Sequence, residues 1–242
     1  MHFIMSNFIS VQTARVLHNQ FMQTFSPNNQ NAHHSITFTK TAIVNIIQSV
    51  QNANGIRFYI GIDQGKLSVF GVPVVGMGNV RHAGPLCNPG SDAINPGFVV
   101  SGGHIEEITD FESSYSGCGG SVNNIQNTNS PEFVAIQQYQ LHVPGAFQQL
   151  LGHKARAFDI ADLVKIFNDP HVDRIRIFFG IEIPNANQGN LHYFGNFFNM
   201  LIIGADNQGN PVRSTPPNEA GPVLAISIPC PIHCDRTSFL CI

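Results

Sequence analysis

The chain has 242 residues, enough for one large domain or two small ones with a real core. Only 11% of them are charged, where about 25% is usual, and the net charge is -3. With no lysine or arginine block, nucleic acid is excluded as a partner, because its phosphates require concentrated cationic charge. Asn, Gln, Ser and Gly carry the polarity instead, giving a surface that repels copies of itself only weakly.

The opening residues, MHFIMSNFISVQTARVLHNQF, lack the basic region and long apolar run of a signal peptide. The longest apolar stretch, FFNMLIIGA, falls far short of the roughly 20 residues that span a bilayer. A soluble, cytoplasmic protein with no membrane contact is expected. The five cysteines, Cys87, Cys118, Cys230, Cys234 and Cys241, are too few for a disulfide scaffold and are expected to be reduced.

In chain order, FISVQTARVLHNQF (Phe8–Phe21) reads as an opening helix. Phe38, Ile43, Ile46 and Ile47 then recur at helical spacing, and NANG closes that second helix, with Gly55 suited to the position just past its end. IRFYIGID (Ile56–Asp63) alternates as a strand: Ile56, Phe58, Ile60 and Ile62 on one face, Arg57, Tyr59, Gly61 and Asp63 on the other. LSVFGVPVVGMGN (Leu67–Asn79) reads as a further strand ending in a Gly/Asn turn. Arg81–Pro131 is a long connector rich in Gly, Asn and Ser, of the kind that carries variable or functional surface.

The same order then returns. FVAIQQYQLHVPGAF (Phe133–Phe147) resembles the opening helix, interrupted by Pro144 and Gly145. Phe158, Leu163, Ile166 and Phe167 repeat the helical face, and Pro170 cannot continue it. IRIFFGIE (Ile175–Glu182) repeats the octapeptide, and FFNMLIIGADNQGN (Phe197–Asn210) repeats the last strand and turn. Aligned, Phe38 meets Phe158, Ile43 meets Leu163 and Ile46 meets Ile166; Ile56, Arg57, Gly61 and Ile62 meet Ile175, Arg176, Gly180 and Ile181. The expected fold is therefore α+β: two degenerate helix–helix–strand–strand repeats packed pseudo-symmetrically, with antiparallel sheet. Residues 1–128 hold the first repeat and its connector, and residues 129–242 the second repeat and a Cys-Pro tail. One such unit buries little surface alone, and two can share a core.

The "ISVQTA"-like helix, the F-x-x-x-x-[IL]-V-x-I helix, IRFYIGID, LIIGADNQGNPV and the closing IPCPIHC together resemble a group of short Bacteroidota proteins. Each of those is one unit long and ends in a Pro-Cys-Pro-x-x-Cys-like tail. The resemblance covers most of this chain as two copies and implies organisation, not chemistry. The first half departs from it, with YSGCGGS and Cys118 alone where the tail would fall.

Several clusters bear on chemistry. CPIHC brings Cys230, His233 and Cys234 together as candidate zinc ligands, although a structural site takes four and no second such pair exists. A Cys230–Cys234 disulfide and an ordinary C-terminal segment are the other readings. Arg57 and Arg176 hold matching strand positions; facing one groove, they can clamp a phosphate or carboxylate, while the simpler reading is that each pairs with a local acid such as Asp63 or Glu182 or caps a helix C-terminus. HIEEITDFESS gathers Glu106, Glu107, Asp110 and Glu112 beside His104, most simply as a solvated turn. Cys118, with His104 as base, is a weak nucleophile candidate lacking a third orienting residue. The expectation is a non-catalytic interaction or self-assembly protein, forming a homo-oligomer or binding a protein partner and needing no cofactor. The alternatives are a binder of small anions through the paired arginines and a metal-dependent or thiol enzyme.

Overall fold

The computed structural model describes residues 8–25, 35–63, 66–77, 89–92, 99–104, 121–124, 134–136, 138, 155–182, 197–225 and 228–230. In chain order these form β1 (Phe8–Ile9), α1 (Val11–Phe25), β2 (Ser35–Thr39), α2 (Lys40–Gln48), β3 (Ala53–Asp63) and β4 (Lys66–Met77). There follow β5 (Pro89–Asp92), β6 (Val99–His104), β7 (Ser121–Asn124), β8 (Ala155–Asp159) and α3 (Ile160–Phe167). The last are β9 (Arg174–Glu182), β10 (Phe197–Ala205), β11 (Val223–Leu224) and β12 (Ile228–Cys230). Residues 134–136 are helical as well. The class is α+β, and every strand pairing among the described residues is antiparallel.

Two sheets result. One runs β1-β11-β10-β9-β2; the other runs β12-β8-β3-β4-β6-β7, with β5 also on β4. Both octapeptides are central strands, β3 of the second sheet and β9 of the first, and each is the first arm of a hairpin with the strand that follows it. Their alternation is as the sequence indicates. Ile56, Phe58 and Ile60 lie in one apolar core together with Ile175, Ile177 and Phe179, so the core is shared between the sheets. Ile43 and Ile46 of α2 and Leu163 and Ile166 of α3 enter the same core. The opposite face of the first sheet lies under α1, where Ala14 and Leu17 pack on Phe178, Leu201 and Ile203.

Phe38 and Phe158 differ from expectation. Both lie in strands, and the helices start after them, because Thr39 and Asp159 are N-caps. Thr39 Oγ1 accepts from the amide of Ala42 at 3.0 Å, and Asp159 Oδ1 from that of Ala161 at 2.8 Å. The helical spacing of the apolar residues thus runs on past the true helix start. Each phenylalanine still reaches the core, but by way of a strand.

Where β2 and β8 pair is the defining feature of the topology. β2 leaves its own neighbours in sequence and pairs with β9, from Ser35 opposite Phe178 to Thr39 opposite Arg174. β8 pairs with β3, from Ala155 opposite Tyr59 to Asp159 opposite Gly55. The rings of Phe38 and Phe158 then meet Phe58 from two sides, with centroids 5.4 and 5.9 Å away.

Two further differences are local. Gly55 lies within β3, and the left-handed residue in the turn between α2 and β3 is Asn52, at φ 64°, which asparagine tolerates better than most residues. A Cβ on Gly55 would come within 2.9 Å of the Met77 side chain, so that glycine serves close packing. The connector also supplies strands: β6 pairs with β4 from Gly71–Ser101 to Ser68–His104, and β7 continues from β6.

Phe58 touches an aromatic ring from each half of the chain. Phe58→Ala is therefore expected to destabilise the protein by about 3–5 kcal/mol, read from urea unfolding. Val164→Ala, on the exposed side of α3, should stay within about 0.5 kcal/mol.

Candidate functional site

Arg57 and Arg176 are both buried, at 1% and 0% exposure. Their neighbours Ile56, Phe58, Ile175 and Ile177 face the shared core, so strand alternation turns both arginines away from it, one on the outer face of each sheet. The two guanidiniums do not converge on one groove. Arg176 joins parts of the fold distant in sequence. Its Nη1 donates to the carbonyl of Gly209 at 3.2 Å, its Nη2 lies 3.4 Å from Ser35 Oγ, and its guanidinium sits 5.1 Å from the Phe178 ring centroid. Gly209 belongs to the turn after β10, held by Asp206, whose carboxylate accepts from the amides of Gln208 and Asn210 at 2.8 Å.

The space over Gly61 and Gly180 is filled by protein. A Cβ on Gly61 would stand 2.6 Å from Phe70 Cε2 and 3.0 Å from the Ala135 backbone; one on Gly180 would stand 2.9 Å from Leu201 Cδ1 and 3.1 Å from Leu17 Cβ. The glycines therefore let residues 134–136 and α1 lie close over the sheets.

Cys230 ends β12 opposite Ala155 in β8. His233, Cys234, Cys87, Cys118, Cys241 and the Glu106–Glu112 run lie outside the described residues. His104 ends β6 opposite Ser68. Among the described residues, no three His, Cys, Asp or Glu side chains are grouped to hold a metal. Nor is any described helix long and apolar enough to cross a membrane.

Among the described residues there is a concavity that no sequence pattern announces. It holds about 280 Å³ beside the C-terminal end of α3. Ile166, Val172, Val212, Pro170, Pro216 and Pro222 form its apolar walls. Lys165, Asn168, Asp169, Ser214 and Thr215 supply its polar lining. Lys165 is bound on both sides, 2.7 Å from Asp162 Oδ1 and 2.5 Å from Glu219 Oε1, and its Nζ lies 5.5 Å from the Phe8 ring centroid. Burial works against its charge, and the two carboxylates outweigh that effect, so its pKa is raised above the ordinary 10.5. Asp169 accepts from the amide of His171 at 2.9 Å and lies 3.0 Å from His171 Nδ1. Hydrogen bonds from Ser214 and then from His171 hold its carboxyl below the usual range.

Asp162 and Lys165 stand three apart on one helix, a spacing legible in the sequence. Glu219 arrives from 54 residues away, in the proline-rich segment after β10, and no local pattern announces it. No protein-family model matches the chain, and no curated protein or solved structure is significantly similar to it.

Arg176→Met should lower stability by about 1.5–3 kcal/mol, because charge-assisted bonds at a buried site are lost, and Arg176→Lys should restore little of it for want of the fork geometry. Urea melts of the two variants read this. Lys165→Met leaves Asp162 and Glu219 facing each other and should cost about 2–3 kcal/mol at pH 7. The stabilisation from Lys165 is full below its ordinary pKa and is lost as pH rises through its higher folded value. The gap between wild type and Lys165→Met should therefore close only above about pH 10.5, followed by thermal melts against pH.

Proposed function

We propose that this chain is a non-catalytic self-assembly protein. It is a homo-oligomer of a body made from two degenerate, pseudo-symmetrically packed repeats, and its copies meet at the cavity beside α3. The reading is carried by the state of the cavity's charged groups. Lys165 is engaged by Asp162 and Glu219, and Asp169 by His171 and Ser214, so the charges brace the site, and the rest of the lining is largely apolar. Such a lining receives a side chain; it does not present an activated nucleophile or base. A chain with 11% charged residues also offers little repulsion between copies.

Native mass spectrometry of the freshly purified protein tests the reading. The wild type should appear as a defined homo-oligomer, and Thr215→Trp, a bulky residue at an exposed rim position, should shift it at least tenfold in concentration toward monomer. A wild-type monomer throughout the micromolar range, or an oligomer indifferent to Thr215→Trp, would overturn it.

A further inference from the structure

We infer that the two halves of this chain form a strand-exchanged dimer fused into one polypeptide, in which each half supplies the binding edge for a strand of the other. The inference rests on the repeat reading but not on homo-oligomerisation, and its test is separate.

The observation is a coincidence of registers. In the first sheet β2, from residues 1–128, pairs with β9, from residues 129–242: Ser35–Phe178, Ile36–Ile177, Thr37–Arg176, Phe38–Ile175 and Thr39–Arg174. In the second sheet the roles reverse, and β8 pairs with β3: Ala155–Tyr59, Arg156–Phe58, Ala157–Arg57, Phe158–Ile56 and Asp159–Gly55. Sequence alignment alone makes Phe38 the counterpart of Phe158 and Ile56 the counterpart of Ile175. Applying that correspondence turns each pair of the first seam into a pair of the second, across the whole length of both. Residue-exact reciprocity of this kind is what an isologous interface requires: residue i meets j, and the counterpart of j meets the counterpart of i. A slip of one residue in either seam would reverse the faces of its strand, so agreement over the full pairing is strongly constrained by burial.

The capping follows the same rule. Thr39 and Asp159, the counterpart N-caps, turn the chain from the exchanged strand directly into α2 and α3. Phe38 and Phe158, one residue earlier, bring the two seams together on Phe58. Neither half can bury its own β2 or β8 side chains without the other's hairpin. The partner that fits the free edge of β3 or β9 is therefore the exchanged strand of this same sequence, from the other half or from a second copy of the chain.

The test keeps the full chain. A specific protease site is inserted between Thr128 and Asn129, the protein is purified intact and then cut in native buffer. On this inference the two fragments remain a single 1:1 particle by native mass spectrometry and separate only in denaturant. Hydrogen exchange in the cut complex should leave the amides of residues 35–39 and 155–159 as slow as in the intact chain. Fragments that part on cutting would overturn the inference. So would a cut complex that holds together while those two segments exchange at least a hundredfold faster, because the halves would then adhere without exchanging strands. Native mass spectrometry of the uncut chain, which decides the homo-oligomer, gives neither result.

Discussion

Phe58 sits where two distant pieces of backbone meet. Phe38 reaches its ring by way of β2 and Phe158 by way of β8, and each of those strands lies on a hairpin from the other half of the chain. The shared core cannot close until both pairings are in place, because Ile36, Phe38 and Phe158 enter it only from those strands. The ordering is non-local. Ser35 and Arg176, which meet at the edge of the first sheet, are 141 positions apart. Much of the chain's entropy must therefore be spent before the largest gains arrive, which favours cooperative and comparatively slow folding.

The same constraint explains where the scarce charges go. With 11% charged residues, the chain still places Arg57, Arg156 and Arg176 out of solvent. Desolvating a guanidinium is costly, so each such position must recover the cost through geometry. Arg176 does so by fastening the turn at Gly209 to β2 at Ser35, and so stitches a loop of one half to an edge strand of the other. Lys40 acts similarly between helices. Its Nζ donates to the Phe167 carbonyl at the C-terminal end of α3, 3.1 Å away, where the helix dipole welcomes a cation. Arg176 and Lys40 act as fasteners, and the matched arginines of the two octapeptides hold matched strand positions.

What the sequence disclosed, and what it withheld, follows from the range of each signal. Alternation in Ile56–Asp63 and Ile175–Glu182 marked two strands and their buried faces, because period two is written in adjacent residues. β2 and β8 went unseen because each has five residues and its last apolar position falls in phase with the helix that follows. β5, β6 and β7 were hidden in Gly- and Ser-rich text whose strand character comes from pairing with β4 and with one another rather than from propensity. The cavity was illegible for a further reason: it is lined from α3, from β10 and from the prolines of the next segment, and one of its ion pairs, Lys165–Glu219, spans 54 residues.

The halves are not equivalent where the cavity lies. By the alignment that matches the seams, Asp162 and Lys165 of α3 correspond to Ala42 and Asn45 of α2, so the first half lacks the carboxylate–ammonium brace. Glu219 and the proline walls come from STPPNEAGP, in the segment after β10. Residues that hold the seams together, by contrast, recur in both halves as a cap, a core phenylalanine and an alternating strand.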